Sequence, residues 1–165
     1  MSINLIAAVD EGFGIGYNND LLIKISEDLK YFKRLTLNNV VIMGRKTFES
    51  LPGREPLKKR ENIIITRDRG YKVEGAVVCH GVAGALKVAE SFNKEVFVIG
   101  GETIYRQFLP YCQKAFITRI YHRFEADKYM PDFLSGGGWK VIEESEMRET
   151  DGGIGYRFVV YSKEQ

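Results

Sequence analysis

The chain has 165 residues, 44% apolar and 28% charged, which excludes a disordered segment and fits one domain over residues 1–165. Lys and Arg number 24 against 22 Asp and Glu, and this net charge of +2 excludes a general binder of nucleic acid or anionic membrane. No run approaches the ~18 apolar residues of a membrane span, and Met1-Ser2-Ile3-Asn4-Leu5 lacks the basic start of a secretory signal, so a cytoplasmic protein is expected.

In chain order, Leu5–Val9 predicts a buried strand. Ser26 is placed as an N-cap before two acids and before Leu29, Phe32 and Leu35, which predicts a helix of about ten residues. Val40–Met43 predicts a strand and Lys46–Leu51 a short helix. Asn62–Thr66 and Ala76–Cys79 predict strands, and Val82–Phe92 a helix with Val82, Leu86 and Ala89 on one face. Glu95–Ile99 predicts a strand, Glu102–Leu109 a helix and Ala115–Arg123 a long strand. Two alternating runs, Lys140–Glu149 and Tyr156–Tyr161, flank the turn Asp151-Gly152-Gly153. Alternation of strands and helices implies a mostly parallel sheet covered on both faces, with a final antiparallel hairpin. The centres Val40–Met43, Ile63–Ile65 and Val96–Ile99 are apolar throughout, as a doubly covered sheet requires.

Ligands of an open α/β sheet bind beyond the carboxyl ends of its strands. Gly44-Arg45-Lys46-Thr47 follows one such strand, and is either a solvated basic turn or an anion site at a helix start. Thr66-Arg67-Asp68-Arg69 follows the next, a surface loop or a phosphate grip. Gly100-Gly101-Glu102-Thr103-Ile104-Tyr105 follows a third, where a glycine pair lets backbone approach a ligand and frees N–H groups for a diphosphate. Taken together, the three ends suggest a dinucleotide with an extra phosphate, hence NADP. Gly12-Phe13-Gly14-Ile15-Gly16 has the wrong spacing for a Rossmann turn and is expected to be a mobile loop over the sheet edge. Asp28 shares a helix face with Phe32, beside Leu29, so it is either a helix-start acid or a carboxylate waiting for a cationic or donor-rich ligand. Cys79 and Cys112 show no metal spacing, so no metal site is expected; two thiols suit a reducing compartment, with a disulfide left open.

These pieces, in this order, resemble bacterial dihydrofolate reductases over essentially the whole chain. The resemblance rests on Leu5-Ile6-Ala7-Ala8 with Gly16, Glu27-Asp28-Leu29 with Phe32-Lys33, and Val41 through Ser50. It continues through Arg60-Glu61-Asn62-Ile63-Ile64 with Thr66-Arg67, Val98-Ile99-Gly100-Gly101 with Tyr105, and Ile117-Thr118-Arg119-Ile120 with Asp127. It implies an eight-stranded, mostly parallel sheet with an antiparallel C-terminal hairpin, and a monomer that reduces 7,8-dihydrofolate with NADPH.

Carried over by position, the resemblance makes Asp28 the pterin-binding carboxylate, supported by Thr118. Ile6, Leu29, Phe32, Leu57 and Ile99 would wall the rings, and Arg60 would pair with the glutamate tail. Arg45, Thr66 and Arg67 would hold the adenosine ribose and its 2′-phosphate, next to Gly44. Lys46, Thr47 and the backbone of Gly100, Gly101, Glu102 and Thr103, leading into Ile104, would take the diphosphate. Ala8, Ile15, Gly16 and Tyr105, with Ile99, would surround the nicotinamide, and a cis peptide would fall at Gly100-Gly101.

Three positions depart from the family. Leu22-Ile23 replaces the usual Pro-Trp, whose indole helps hold a water near the pterin. Leu57-Lys58-Lys59-Arg60 stands where the family has Leu-Pro-Gly-Arg, and a copy of that run lies earlier at Leu51 to Arg54. Glu102 replaces a small residue. A related NADPH reductase of a ribosylaminopyrimidine, and a non-catalytic descendant of the fold, are the alternatives.

Overall fold

The structure, a computed structural model, describes residues 2–164. Its strands are β1 (Ile3–Val9), β2 (Gly14–Gly16), β3 (Val40–Gly44), β4 (Glu61–Ile65), β5 (Ala76–Cys79), β6 (Val96–Gly100) and β7 (Lys114–Ile120), then β8 (Lys128–Tyr129), β9 (Trp139–Glu144), β10 (Arg148–Glu149) and β11 (Gly155–Lys163). The helices are α1 (Ser26–Thr36), α2 (Arg45–Glu49), α3 (Val82–Ser91) and α4 (Glu102–Phe108).

Nine of the strands form one sheet in the order β10-β11-β7-β1-β6-β3-β4-β5, with β9 also on β11. Because β9 and β10 lie end to end along β11, the sheet has eight lanes. The pairs from β7 through β1, β6, β3 and β4 to β5 are all parallel, and β11 runs antiparallel to β7.

Period-2 alternation divides the strands between two cores. Val40, Ile42, Ile63, Ile65, Val96 and Val98 pack on one face with Ala85 and Ala89 of α3 and Phe108 of α4. Val41, Met43 and Ile64 pack on the other with Phe48 of α2. Both faces are covered by helices, which is why these strands read as unbroken apolar runs. On the second face α1 lies across the far half of the sheet, where Tyr31 stacks on Phe158 of β11 at 4.3 Å.

Four local expectations change. Ile25, not Ser26, is the N-cap of α1, and no side chain caps it. Two acids in the first turn and two bases in the last complement the helix dipole instead. The Gly12–Gly16 segment is not a free loop: Gly14 pairs with Tyr129 and Gly16 with Lys128. Asp10, buried at its root, accepts the backbone N–H groups of Gly12, Gly14 and Phe124 at 2.9, 2.7 and 2.9 Å. The strand expected over 115–123 stops at Ile120. The run 140–149 breaks where Ser145 Oγ accepts the Phe158 N–H at 3.0 Å, a bond the ladder would otherwise make through backbone. Cys79 and Cys112 are buried and unbonded to each other. No helix is long and apolar enough to cross a membrane, and no metal-binding cluster occurs among the described residues.

Candidate active site

The parallel ladder brings the carboxyl ends of β1, β3, β4, β6 and β7 to one edge. Thr118 lies opposite Ala8 on one side and Phe158 on the other, on the face that α1 covers. Its hydroxyl reaches up and donates to Asp28 Oδ1 at 2.5 Å. Burial pushes the Asp28 carboxyl above its ordinary range, and the Thr118 bond pulls it part of the way back. No cation pairs with this carboxylate among the described residues. Of the two sequence readings, a helix-start acid belongs in water, and this one does not lie there.

One turn on, Phe32 is half-buried, whereas Leu29 is 47% exposed with no apolar cover. Ile6 is buried, and Ile99 and Leu57 are half-buried. Arg60 closes the other end of α1. Its Nη1 donates to Thr36 Oγ1 at 3.1 Å and its Nε to the Lys58 carbonyl at 2.9 Å. It has no carboxylate within salt-bridge distance among the described residues, and burial pushes its guanidinium below the ordinary value. Asp28 and Thr36 stand eight residues apart, about 12 Å along a helix. The carboxylate of Asp28 at the start of α1, the apolar Leu29 and Phe32 along it, and the guanidinium of Arg60 beyond its far end thus follow one another.

Across the cleft, β6 slips by one residue against β3: Ile42 faces Val98 but Met43 faces Gly100. The Gly100-Gly101 peptide is cis, as expected. Gly100 has φ 118°, and a Cβ there would press on the Tyr105 ring at 3.2 Å, so a side chain at this position would be strained. Tyr105 is itself fixed, its hydroxyl donating to the Ile6 carbonyl at 2.7 Å. Gly44 admits α4 closely, with Ile104 3.1 Å from where its Cβ would stand. Ile104 and Tyr105 are buried, which leaves backbone, Thr103 and the partly exposed Glu102 at the start of α4. No side chain caps that helix, so its first N–H groups are open.

The basic turns differ from each other. Arg45 is already engaged: Nε lies 3.2 Å from Glu49, Nη1 3.5 Å from Asp68, and the guanidinium sits 4.5 Å over the Tyr71 ring. Lys46 and Arg67 are exposed and make no ion pair among the described residues. Thr66 is half-buried; its Oγ1 accepts the Asp68 N–H at 3.2 Å. Ala8 and Ile15 are half-buried and Gly16 is buried at the edge of the same cleft.

A family model for dihydrofolate reductase matches residues 2–163. The chain belongs to the dihydrofolate reductase family. The dihydrofolate reductase of Staphylococcus haemolyticus is 37% identical over 164 residues, which cover 99% of this chain and 96% of that one. That of Neisseria meningitidis serogroup A is 38% identical over 161 residues, 98% of each. A solved structure of dihydrofolate reductase from Enterococcus faecalis, complexed with NADP(H) and RAB-propyl, is 28% identical, covers 99% of this chain and 97% of its own, and superposes with a TM-score of 0.90.

Measured against the family's pattern, the departures become physical. Ile23 packs with Ile25, Ile120 and Tyr156, so the usual indole is replaced by apolar filling. The altered loop before Arg60 is held by Asn62, a buried residue read from sequence only as context. Its amide takes the Leu57 N–H at 2.9 Å and gives hydrogen bonds to the carbonyls of Leu57 at 2.9 Å and Arg60 at 3.0 Å. Glu49 and Tyr71, which hold Arg45, were not singled out either; an i,i+4 pairing of Arg45 with Glu49 was the available signal.

Proposed function

We propose that the protein reduces 7,8-dihydrofolate to tetrahydrofolate, consuming one NADPH and one proton and releasing NADP+. The observation that carries it is Asp28: a largely buried carboxylate, pinned by Thr118 and lacking a cation, at the strand ends of a family member. The Enterococcus faecalis relative, complexed with NADP(H), supports the cofactor. The residues present fit it: the first N–H groups of α4 are uncapped, and a Cβ at Gly101 would enter the space before them, 3.6 Å from Thr47 Oγ1.

In this reading the cofactor, when bound, supplies a hydride to the carbon of a pterin C=N bond. Asp28 does the orienting. Thr118 occupies one lone pair of Oδ1, so Oδ2 and the rest of Oδ1 accept the pterin's ring N–H and amino group. A negative charge at this depth favours the protonated, cationic ring, which accepts hydride more readily; the proton itself comes from solvent. Ile6, Leu29, Phe32, Leu57 and Ile99 exclude water from the rings, and Arg60 grips the glutamate carboxylate. Ala8, Ile15, Gly16, Ile99 and Tyr105 frame the nicotinamide. The backbone from Gly100 to Thr103, with Lys46 and Thr47, receives the diphosphate, while Gly44, Arg45, Thr66 and Arg67 surround the 2′-phosphate. The protein acts as a cytoplasmic monomer with no nucleic-acid partner; its near-balanced charge and two unpaired buried thiols support this.

NADPH oxidation followed with and without dihydrofolate is the test. Dihydrofolate-dependent oxidation is expected, and its absence overturns the reading. Elution as a single chain on size exclusion checks the monomer.

A further inference from the structure

Glu102 puts a negative charge beside the proposed diphosphate, where repulsion is its obvious effect. The structure gives the carboxylate a different occupation. Its Oε1 accepts the backbone N–H of Tyr129 at 2.7 Å, and its Oε2 lies 3.8 Å from Arg106 on the next turn of α4. Tyr129 is half of β8, a strand of only two residues. One edge of β8 faces β2: Gly14 lies opposite Tyr129, the Asp127 N–H donates to the Gly16 carbonyl at 3.0 Å, and the Met130 N–H donates to the Phe13 carbonyl at 2.8 Å. Tyr129's own N–H points off that ladder, and Glu102 is what it meets. A ribbon of two and three residues has little stability of its own; Asp10 holds its β2 side, and Glu102 adds a charge-assisted bond on the outer edge of β8.

We propose that Glu102 is a positioning residue for hydride transfer. It ties β8 to the start of α4, and through β8 it sets where Ile15 and Gly16 stand beside the nicotinamide. This role rests on the cofactor placement proposed above.

Two variants separate tether from repulsion. Glu102→Asp keeps the charge but is one methylene too short to reach Tyr129. Glu102→Gln keeps the reach and an acceptor oxygen but loses the charge. The tether makes the Asp variant slow: single-turnover hydride transfer falls about 3- to 10-fold, and exchange of the Tyr129 amide with solvent rises about tenfold, as loss of a charge-assisted bond at a partly exposed site entails. The NADPH dissociation constant stays within about threefold in both variants, and Gln recovers most of the rate.

The opposite pattern, tighter NADPH binding in the Gln variant with unchanged hydride transfer in the Asp variant, overturns the proposal. So does a lowered melting temperature in the Asp variant without a slower rate. A wild-type protein that does not oxidise NADPH with dihydrofolate overturns the functional reading and this role with it. An active wild type with an unaffected Asp variant overturns this role alone.

Discussion

Thr118 Oγ1 and Asp28 Oδ1 meet at 2.5 Å although 90 positions separate them in sequence. Thr118 is fixed by ladder partners on both sides, so the hydroxyl cannot follow a carboxylate that moves. Asp28 is therefore aimed, and the aim is set by the sheet rather than by its own helix. Burial outweighs the Thr118 bond in setting its proton affinity, which leaves a carboxylate that gains from any donor-rich ligand.

Replacing Asp28 by Asn keeps size and shape and removes the charge. Loss of a charged partner at a desolvated site costs roughly 2–4 kcal/mol, so kcat/KM for dihydrofolate should fall about 30- to 1000-fold. The defect should narrow at low pH, where more substrate is protonated before it binds. The measurement is kcat/KM from acid to alkaline pH in both forms. Near-normal activity at neutral pH in the Asn variant would return Asp28 to the status of a helix-start acid.

The same substitution should stabilise the fold. With the folded-state pKa raised above 3.8, the native protein binds more protons than the unfolded chain across the window upward from 3.8. Stability therefore falls as pH rises through that window and stays lower above it. At neutral pH Asp28→Asn should melt higher than the unmodified protein, and the gain should vanish well below pH 3.8, where the carboxyl is protonated in both states. Thermal melts at both pH values decide it; a less stable variant at neutral pH contradicts the burial account.

Arg60 offers a cleaner division between binding and chemistry. Arg60→Ala should raise KM for dihydrofolate about 10- to 100-fold with little change in kcat, because the tail contact is the same before and during hydride transfer. Arg60→Lys should recover little, since an ammonium lacks the planar fork. A substrate lacking the glutamate should not distinguish the three proteins; if it does, Arg60 acts elsewhere.

The 2′-phosphate should depend on Arg67 more than on Arg45. Glu49 and Asp68 already neutralise Arg45, while Arg67 has no ion pair among the described residues. Arg67→Ala should weaken NADPH about tenfold and leave NADH unchanged, with the difference shrinking as salt is added. Titration of both cofactors at two ionic strengths reads this directly, and equal losses for NADPH and NADH would exclude a phosphate contact.

The parallel strands were legible because their residues are apolar on both faces, a pattern that needs no partner to be recognised. The shared face of Asp28 and Phe32, with Leu29 beside it, was legible from helical spacing. What sequence missed depends on partners far along the chain. Gly14–Gly16 was expected to be mobile because β8 is two residues long, too short for any periodicity, and lies more than a hundred positions away. The break at Ser145 follows from a side-chain hydroxyl standing in for a backbone group, which alternation cannot reveal. Asn62 is polar in a run of isoleucines, and only its three hydrogen bonds show why it is buried there. The motifs named the candidate residues, but not that Arg45 is already paired or that Glu102 turns to Tyr129.

The place of β11 in the sheet bears on how the molecule is made. Thr118 lies between Ala8 and Phe158, so the strand beneath Asp28 is flanked by an early segment and a very late one. During synthesis on the ribosome the chain emerges from its N-terminal side. The residues that would bind both ligands are all translated by position 118, yet one flank of Thr118 stays open until the stretch from 155 to 163 arrives. A nascent chain of this enzyme can hold its whole chemical inventory and still be unable to aim its carboxylate, so function and completion of the sheet are acquired in the same step.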